Sequence, residues 1–233
     1  MKTLEDDRET SDLNNLVRSL RGLRGLFEIT GKLNKEWYPD STLHDTLMDL
    51  LNTAHYVNDM TVQQKAMQEN EELMGMDLAY LLDYTQELAG KGEEQLRKKV
   101  TQMDKSKLED YEQHLSNQTE TSGKEWIDKQ LMDLTHQKVK KAYHNLKETS
   151  GKKSLTSLRY QLMDTCSCLE VADSPEQAAE LREAGIFLDI WHDRQVSLEV
   201  IKRYKKDYPE MVKKYTGTLE ILEDYLKQKV DIS

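Results

Sequence analysis

The sequence predicts an all-α protein, a multi-helix bundle with a compact C-terminal helical domain. Three observations carry that expectation. Glycine (10) and proline (3) are scarce among 233 residues, and 33% of side chains are charged. Such breaker-poor chains, rich in Leu, Lys, Glu, Gln and Asp, favour long helices, whereas Val, Ile and Phe are too few for a sheet core. Apolar residues recur at three- and four-residue intervals along most of the chain, which is the period of a half-buried helix.

The elements follow in order. Ser11 can cap a first helix running to about Lys35, with Leu13, Val17, Leu20, Leu23 and Phe27 on one stripe. Tyr38-Pro39-Asp40-Ser41 breaks the chain and caps a second helix carrying Leu43, Leu47, Leu50, Leu51, Ala54 and Val57, ending near Asn58. A third helix covers about 61–89. Gly90-Lys91-Gly92 is read as its end, because glycine enters the left-handed cap conformation without strain. A fourth, about 93–117, carries Leu96, Val100, Met103, Leu108, Tyr111 and Leu115 in an alternation close to a coiled-coil pattern. After the turn Thr121-Ser122-Gly123, a fifth covers about 124–148 with Trp126, Ile127, Leu131, Leu134, Val139, Tyr143 and Leu146. Ser150-Gly151-Lys152 is the second clear break. A helix over about 154–171 leads to Ser174-Pro175-Glu176-Gln177, a capping-box start for a helix running through Leu181, Leu188 and Trp191. A short helix at about 197–207, an interruption at Pro209 and a final helix at about 218–230, ending on Val230, complete the chain. The breaks suggest an acidic unit 1–90, a helical hairpin 91–150 that can serve as a dimer contact, and a C-terminal domain 151–233.

Charge is unevenly placed. The net charge of −10 equals that of residues 36–90 alone, where 11 acidic side chains meet only Lys65. The other regions nearly cancel. Charge asymmetry of this kind speaks to partners rather than to fold. No run of about 18 apolar residues exists, so no membrane span is expected. The polar, acidic beginning is unlike a secretory signal, and the two cysteines, Cys166 and Cys168, are too few for a disulfide framework. On a helix they face different ways and read as reduced thiols of a cytoplasmic protein.

Catalytic chemistry finds little support. His136 and His144 lie eight residues apart, and no Glu-x-x-His exists for a di-iron bundle. Glu69-x-x-Glu72, with Asp77 nearby, has the spacing of half of a Mg²⁺ site in helical pyrophosphatases, but its second half is missing. No Gly-x-Ser-x-Gly, phosphate loop or Cys-His signature is present. The expectation is a non-enzymatic protein without a cofactor.

Two features point to binding. Trp191, Tyr204, Tyr208, Tyr215 and Tyr225 fall within 35 residues. Such side chains join an apolar body to a polar handle and suit flat ligands, although they serve equally well as core residues. The acidic block supplies the rival reading, a protein partner or nucleic-acid mimicry through Asp45, Asp49, Glu69, Glu71, Glu72 and Asp77. The basic run Lys202-Arg203-Tyr204-Lys205-Lys206 is interrupted by Asp207 and Glu210 and reads as a solvated face, so direct DNA binding is not expected.

Leu158 to Lys229 also resembles the helical, drug-binding effector domain of MerR-type regulators of the thiostrepton-induced kind, found too in stand-alone antibiotic-binding proteins. The matching stretches are Val171-Ala172-Asp173-Ser174-Pro175-Glu176-Gln177, Leu188-Asp189-Ile190-Trp191, Ile201 to Met211, Tyr215-Thr216-Gly217-Thr218-Leu219-Glu220-Ile221-Leu222, and Tyr225-Leu226. The family's glycine-rich loop after the tryptophan is short here and lacks glycine, and residues 1–90 lack the winged-helix pattern. The resemblance therefore implies capture of an apolar or aromatic, antibiotic-like molecule, for regulation or sequestration, in a helical cup lined or braced by Trp191, Tyr204 and Tyr215. Tyr208 and Tyr225 join them by helical facing.

Overall fold

A computed structural model describes residues 2–122, 124–148, 152–172 and 174–230. Among the described residues the chain is all-helical: α1 (Lys2–Leu33), a 3₁₀ turn (Lys35–Trp37), α2 (Ser41–Met74), α3 (Ala79–Gln102), α4 (Ser106–Ser122), α5 (Lys124–Glu148), α6 (Lys152–Val171), α7 (Pro175–Ala184), α8 (Ile186–Asp207) and α9 (Pro209–Val230). None of these is long and apolar enough to cross a membrane. Gly123, Ser150, Gly151 and Asp173, assigned above to turns and breaks, lie outside the described residues, as do the side chains of Ile127 and Val230.

Several expected boundaries move. The second and third expected helices are one, α2, because Val57, Met60, Gln63 and Met67 keep a buried stripe running past Asn58. The turn comes instead at Gly75, whose φ of +61° is the left-handed conformation that glycine accepts most readily. Glu71 accepts the Leu78 amide at 2.9 Å and Asp77 accepts the Ala79 amide at 3.0 Å, so both satisfy the opening turn of the next helix. Gly90 and Gly92 then sit inside α3. Gly92 is a place of close approach rather than a cap, since a Cβ there would stand 2.9 Å from Val57 Cγ2. Burial of Leu88, Ala89 and Leu96 around them outweighs a helix cost of about 1 kcal/mol per glycine.

The alternation read over Leu96–Leu115 is split between α3 and α4 by the Met103–Lys105 turn, where Asp104 caps α4 by accepting the Ser106 amide at 3.0 Å. It is not a continuous heptad helix. Ser174 precedes α7 with Pro175 at the first position, but it makes no side-chain cap, and its hydroxyl points back to the Ala172 carbonyl at 3.5 Å. The helix expected to run through Trp191 ends at Gly185, and Trp191 lies within α8. Pro209 opens α9 rather than interrupting a helix, and Gly217 is interior to it.

The chain forms two compact units: Met1–Asn52 with Lys98–Ile186, and Thr53–Arg97 with Phe187–Ser233. They do not follow the sequential division 1–90, 91–150 and 151–233. Each is built from two stretches, because α2 and α3 continue without a break through the unit boundaries. The segment Leu158–Lys229 is likewise shared, with Leu158–Ile186 in the first unit and the rest in the second.

In the first unit α1 lies directly on α6. Gly25 permits this, since a Cβ there would stand 3.0 Å from the Ser167 carbonyl carbon. Arg24 pairs with Asp164 at 2.9 Å, and Lys138 of α5 pairs with Glu28 at 2.5 Å. Thr30, Tyr111 and the Trp37 carbonyl form a buried hydrogen-bonded chain at 2.9 Å per link. The two cysteines do face different ways, Cys166 towards the Ala178 carbonyl and Cys168 towards Gly25 and Glu28. Burial pushes the Cys168 thiol up to about 11, against the pull of Lys138.

Two predictions follow from this packing. In urea unfolding, Gly75→Ala lowers stability by about 1–2 kcal/mol because alanine is strained at positive φ, whereas Gly90→Ala raises it by about 0.5–1 kcal/mol because nothing crowds that site. Cys168 resists iodoacetamide at mildly alkaline pH in the native protein and is labelled once urea unfolds the chain, because the thiolate is the nucleophile.

Candidate functional site

The second unit brings four helical stretches together: Thr53–Met74 of α2, Ala79–Arg97 of α3, Phe187–Asp207 of α8, and α9. Its core is aliphatic and methionine-rich, with Met60, Met67, Leu78, Leu81, Val200, Ile201, Leu219 and Leu222 buried. One polar key sits inside it. Gln63, fully buried, donates to the Asp193 carbonyl at 2.9 Å and accepts from Ser197 at 2.5 Å. Because an unpaired amide is costly when buried, this pair fixes the register of α2 on α8.

At one side of that core five tyrosines meet. Tyr80 and Tyr84 stand four apart on α3, Tyr204 and Tyr208 four apart on α8, and Tyr215 comes from α9. Helical residues four apart share a face, so both pairs present two rings in one direction. Tyr80 stacks on Tyr215 with centroids 3.9 Å apart and planes at 13°. Tyr204 lies 5.4 Å from both Tyr80 and Tyr84, and Tyr208 lies 5.7 Å from Tyr84 in an edge contact.

The polar handles are treated differently. Tyr84 donates to Asp207 at 2.6 Å, and Tyr208 donates to Glu87 at 3.1 Å. Lys214 sets its ammonium 4.9 Å from the Tyr215 ring centre, a cation–π placement. The Tyr80 hydroxyl is buried and has no hydrogen-bond partner among the described residues. Burial raises Tyr80 well above the ordinary tyrosine range, with the neighbouring Tyr204 and Tyr215 adding to it. Burial also raises Tyr84, reinforced by Asp207.

Of the five aromatic residues singled out in the sequence, Tyr204, Tyr208 and Tyr215 thus converge. Trp191 is buried but stands 13 residues before Tyr204 on the same helix, about 20 Å along its axis. Tyr225 packs partly buried against the same core, ten residues beyond Tyr215. Sequence reasoning missed Tyr80 and Tyr84, which lie in a stretch read as a helix whose binding candidates were its carboxylates. The repeated Tyr-x-x-x-Tyr spacing was the available signal.

The acidic candidates do not form one group. Asp45 and Asp49 belong to the first unit, and Glu69, Glu71, Glu72 and Asp77 to the second. Glu71 and Asp77 are occupied at the start of α3, and Asp49 pairs with Lys99 at 2.7 Å. Among the described residues no cluster of three His, Cys, Asp or Glu side chains is arranged to hold a metal ion. The basic run on α8 is locally paired, with Lys205 to Glu223 at 2.6 Å and Arg203 to Asp207 at 3.7 Å.

The raised tyrosines give a pH dependence of definite sign. The folded state holds these phenolic protons more tightly than the unfolded chain does. Their contribution to stability is therefore complete below the ordinary tyrosine pKa of about 10 and is lost as pH rises through the folded values. In an alkaline titration followed by tyrosinate absorbance, Tyr80 and Tyr84 ionise last and together with the loss of helix, and in Tyr84→Phe the latest-ionising fraction shrinks.

No protein-family model matches the chain, and no curated protein or solved structure matches it significantly.

Proposed function

We propose that the second unit is a non-catalytic binding module that captures a flat aromatic or apolar small molecule against its tyrosine cluster, for regulation or sequestration. The observation that carries this reading is the Tyr80 hydroxyl, buried beside the Tyr204 and Tyr215 rings with no acceptor among the described residues. Leaving a hydroxyl unsatisfied costs about 1–3 kcal/mol, and a ligand carrying a carbonyl or ring nitrogen would recover that cost.

Tyr208, Tyr215 and Tyr80 are incompletely buried and form the accessible side of the cluster, whereas Tyr204 is only 3% exposed and braces it from within. Tyr225 packs against the surrounding core and Trp191 is buried elsewhere in the unit, so neither touches the ligand. The resemblance to drug-binding effector domains adds the chemical class, bulky and antibiotic-like.

The test is a panel of planar antibiotics and dyes, titrated while melting temperature and the fluorescence of Trp191, the single tryptophan of this unit, are followed in a Trp37→Phe, Trp126→Phe background. Saturable binding is expected, nearly independent of salt. Tyr80→Phe keeps the ring and removes the hydroxyl. It should weaken binding about fivefold, the equivalent of roughly 1 kcal/mol, without lowering the melting temperature. Tyr215→Ala should abolish binding. Absence of any saturable response, or binding indifferent to both substitutions, rejects the proposal. Affinity for a protein partner that collapses with salt would instead favour the acidic residues, because exposed charges are screened within about 8 Å at physiological ionic strength.

A further inference from the structure

The tyrosine cluster has two ends that differ in polarity. Towards Tyr84 and Tyr208 the carboxylates are engaged. Asp207 accepts the Tyr84 hydroxyl at 2.6 Å and pairs with Arg203 at 3.7 Å. Glu87 accepts the Tyr208 hydroxyl at 3.1 Å and pairs with Lys91. A cation arriving at this end meets carboxylates that already hold partners.

The Tyr80 end is unbalanced. The Tyr80 hydroxyl is buried and finds no acceptor among the described residues. Its ring is stacked on Tyr215 with centroids 3.9 Å apart, and the same Tyr215 ring has the Lys214 ammonium 4.9 Å from its centre. One ring thus joins a proton donor without an acceptor to a positive charge. That position, and not the lack of an ion pair, sets Lys214 apart from the other exposed lysines. Tyr215 raises Lys214 above the ordinary lysine range and Asp77 adds to the rise, so the ammonium keeps its proton. Asp77 is a carboxylate that also acts on Tyr80, but its Oδ1 is occupied by the Ala79 amide at 3.0 Å.

These groups select among the flat molecules that the cluster could hold. A neutral carbonyl satisfies Tyr80 and gains nothing from Lys214. A cation is repelled by Lys214 and offers no acceptor to Tyr80. A carboxylate is acceptor-only and has two oxygens, so it can take both donors, and hydrogen bonds to an ionised acceptor are the stronger kind. Resting on the reading of this unit as a small-molecule binding module, we infer that its ligand is a planar aromatic carboxylate, its ring against the tyrosines and its oxygens on the Tyr80 hydroxyl and the Lys214 ammonium.

The experiment is calorimetric titration of the full chain near neutral pH with naphthoate, naphthamide and naphthylmethylammonium, which share one ring system and differ in charge. Naphthoate should bind saturably, about fivefold tighter than naphthamide and at least about tenfold tighter than naphthylmethylammonium. Lys214→Gln should cost naphthoate about fivefold and leave naphthamide within about twofold. Asp77→Asn keeps an oxygen to cap α3 and removes the charge, so it should tighten naphthoate and weaken naphthylmethylammonium. Both positions are exposed, and both variants should melt with the parent protein. If none of the three probes binds saturably, the binding module and the carboxylate fall together. If binding is saturable and abolished by Tyr215→Ala, yet naphthamide or naphthylmethylammonium equals naphthoate or Lys214→Gln leaves naphthoate unchanged, the module stands and the carboxylate inference is overturned.

Discussion

The second unit depends on one turn. Gly75 takes a positive φ that side-chain-bearing residues resist, and the chain reverses there rather than at the two glycines further on. Glu71 and Asp77 hold the turn by accepting the first free amides of α3. Tyr80 and Tyr84 follow immediately, so the position of the turn determines which face of α3 meets α8 and α9. Moving it to Gly90 would leave Leu78, Leu81, Leu88 and both tyrosines on the wrong side of the reversal. The acidic side chains of this stretch are therefore partly structural. Two of them cap the start of α3, and Glu87 holds Lys91 and Tyr208.

The tyrosine cluster shows how a small helical unit joins apolar burial to polar specificity. The rings supply the area, and edge and stacked contacts fix their angles. Asp207 and Glu87 accept two of the hydroxyls, so those phenols are satisfied where they sit. Tyr80 departs from that pattern. Its hydroxyl is buried, yet nothing among the described residues accepts its proton. Unsatisfied groups of this kind are rare in native interiors; among the described residues the Trp37 indole nitrogen of the first unit is the other.

The first unit solves a different problem. Close approach of α1 to α6 at Gly25 brings charged side chains into a sheltered space. Glu28 is pushed up by its own burial, but the ammonium groups of Lys138 and Lys32 outweigh this and hold it below the usual carboxylate range. Asp164 goes the other way. Its burial outweighs Arg24, and the nearby Glu28 adds to the rise. Two carboxylates one layer apart thus differ in proton affinity because one faces two cations and the other is more deeply desolvated. Breaking either pair leaves its partner exposed to that same desolvation, which is why such networks constrain packing more than they stabilise it.

The sequence by itself determined the all-helical class, the buried stripes at the start of α2 and in α1, and several termini, whereas the stripe read for α5 (Trp126, Leu131, Leu134, Val139, Tyr143, Leu146) is half-buried or exposed. Asp40 does cap α2, accepting the Leu43 amide at 2.9 Å, and Cys166 and Cys168 do face apart. These features are local, set by side-chain period and by backbone groups a few residues away. It also supplied Tyr204, Tyr208 and Tyr215 as candidates. Only the tertiary structure decided which glycine turns the chain, because Gly75, Gly90 and Gly92 have the same local freedom and differ in what packs around them. Only it joined Tyr80 and Tyr84 to residues more than a hundred positions away, and only it parted Asp45 and Asp49 from the other acidic candidates. Helical period says which side of each helix is buried, but not which helix covers it. That choice rests on contacts between distant segments, and no local pattern encodes them.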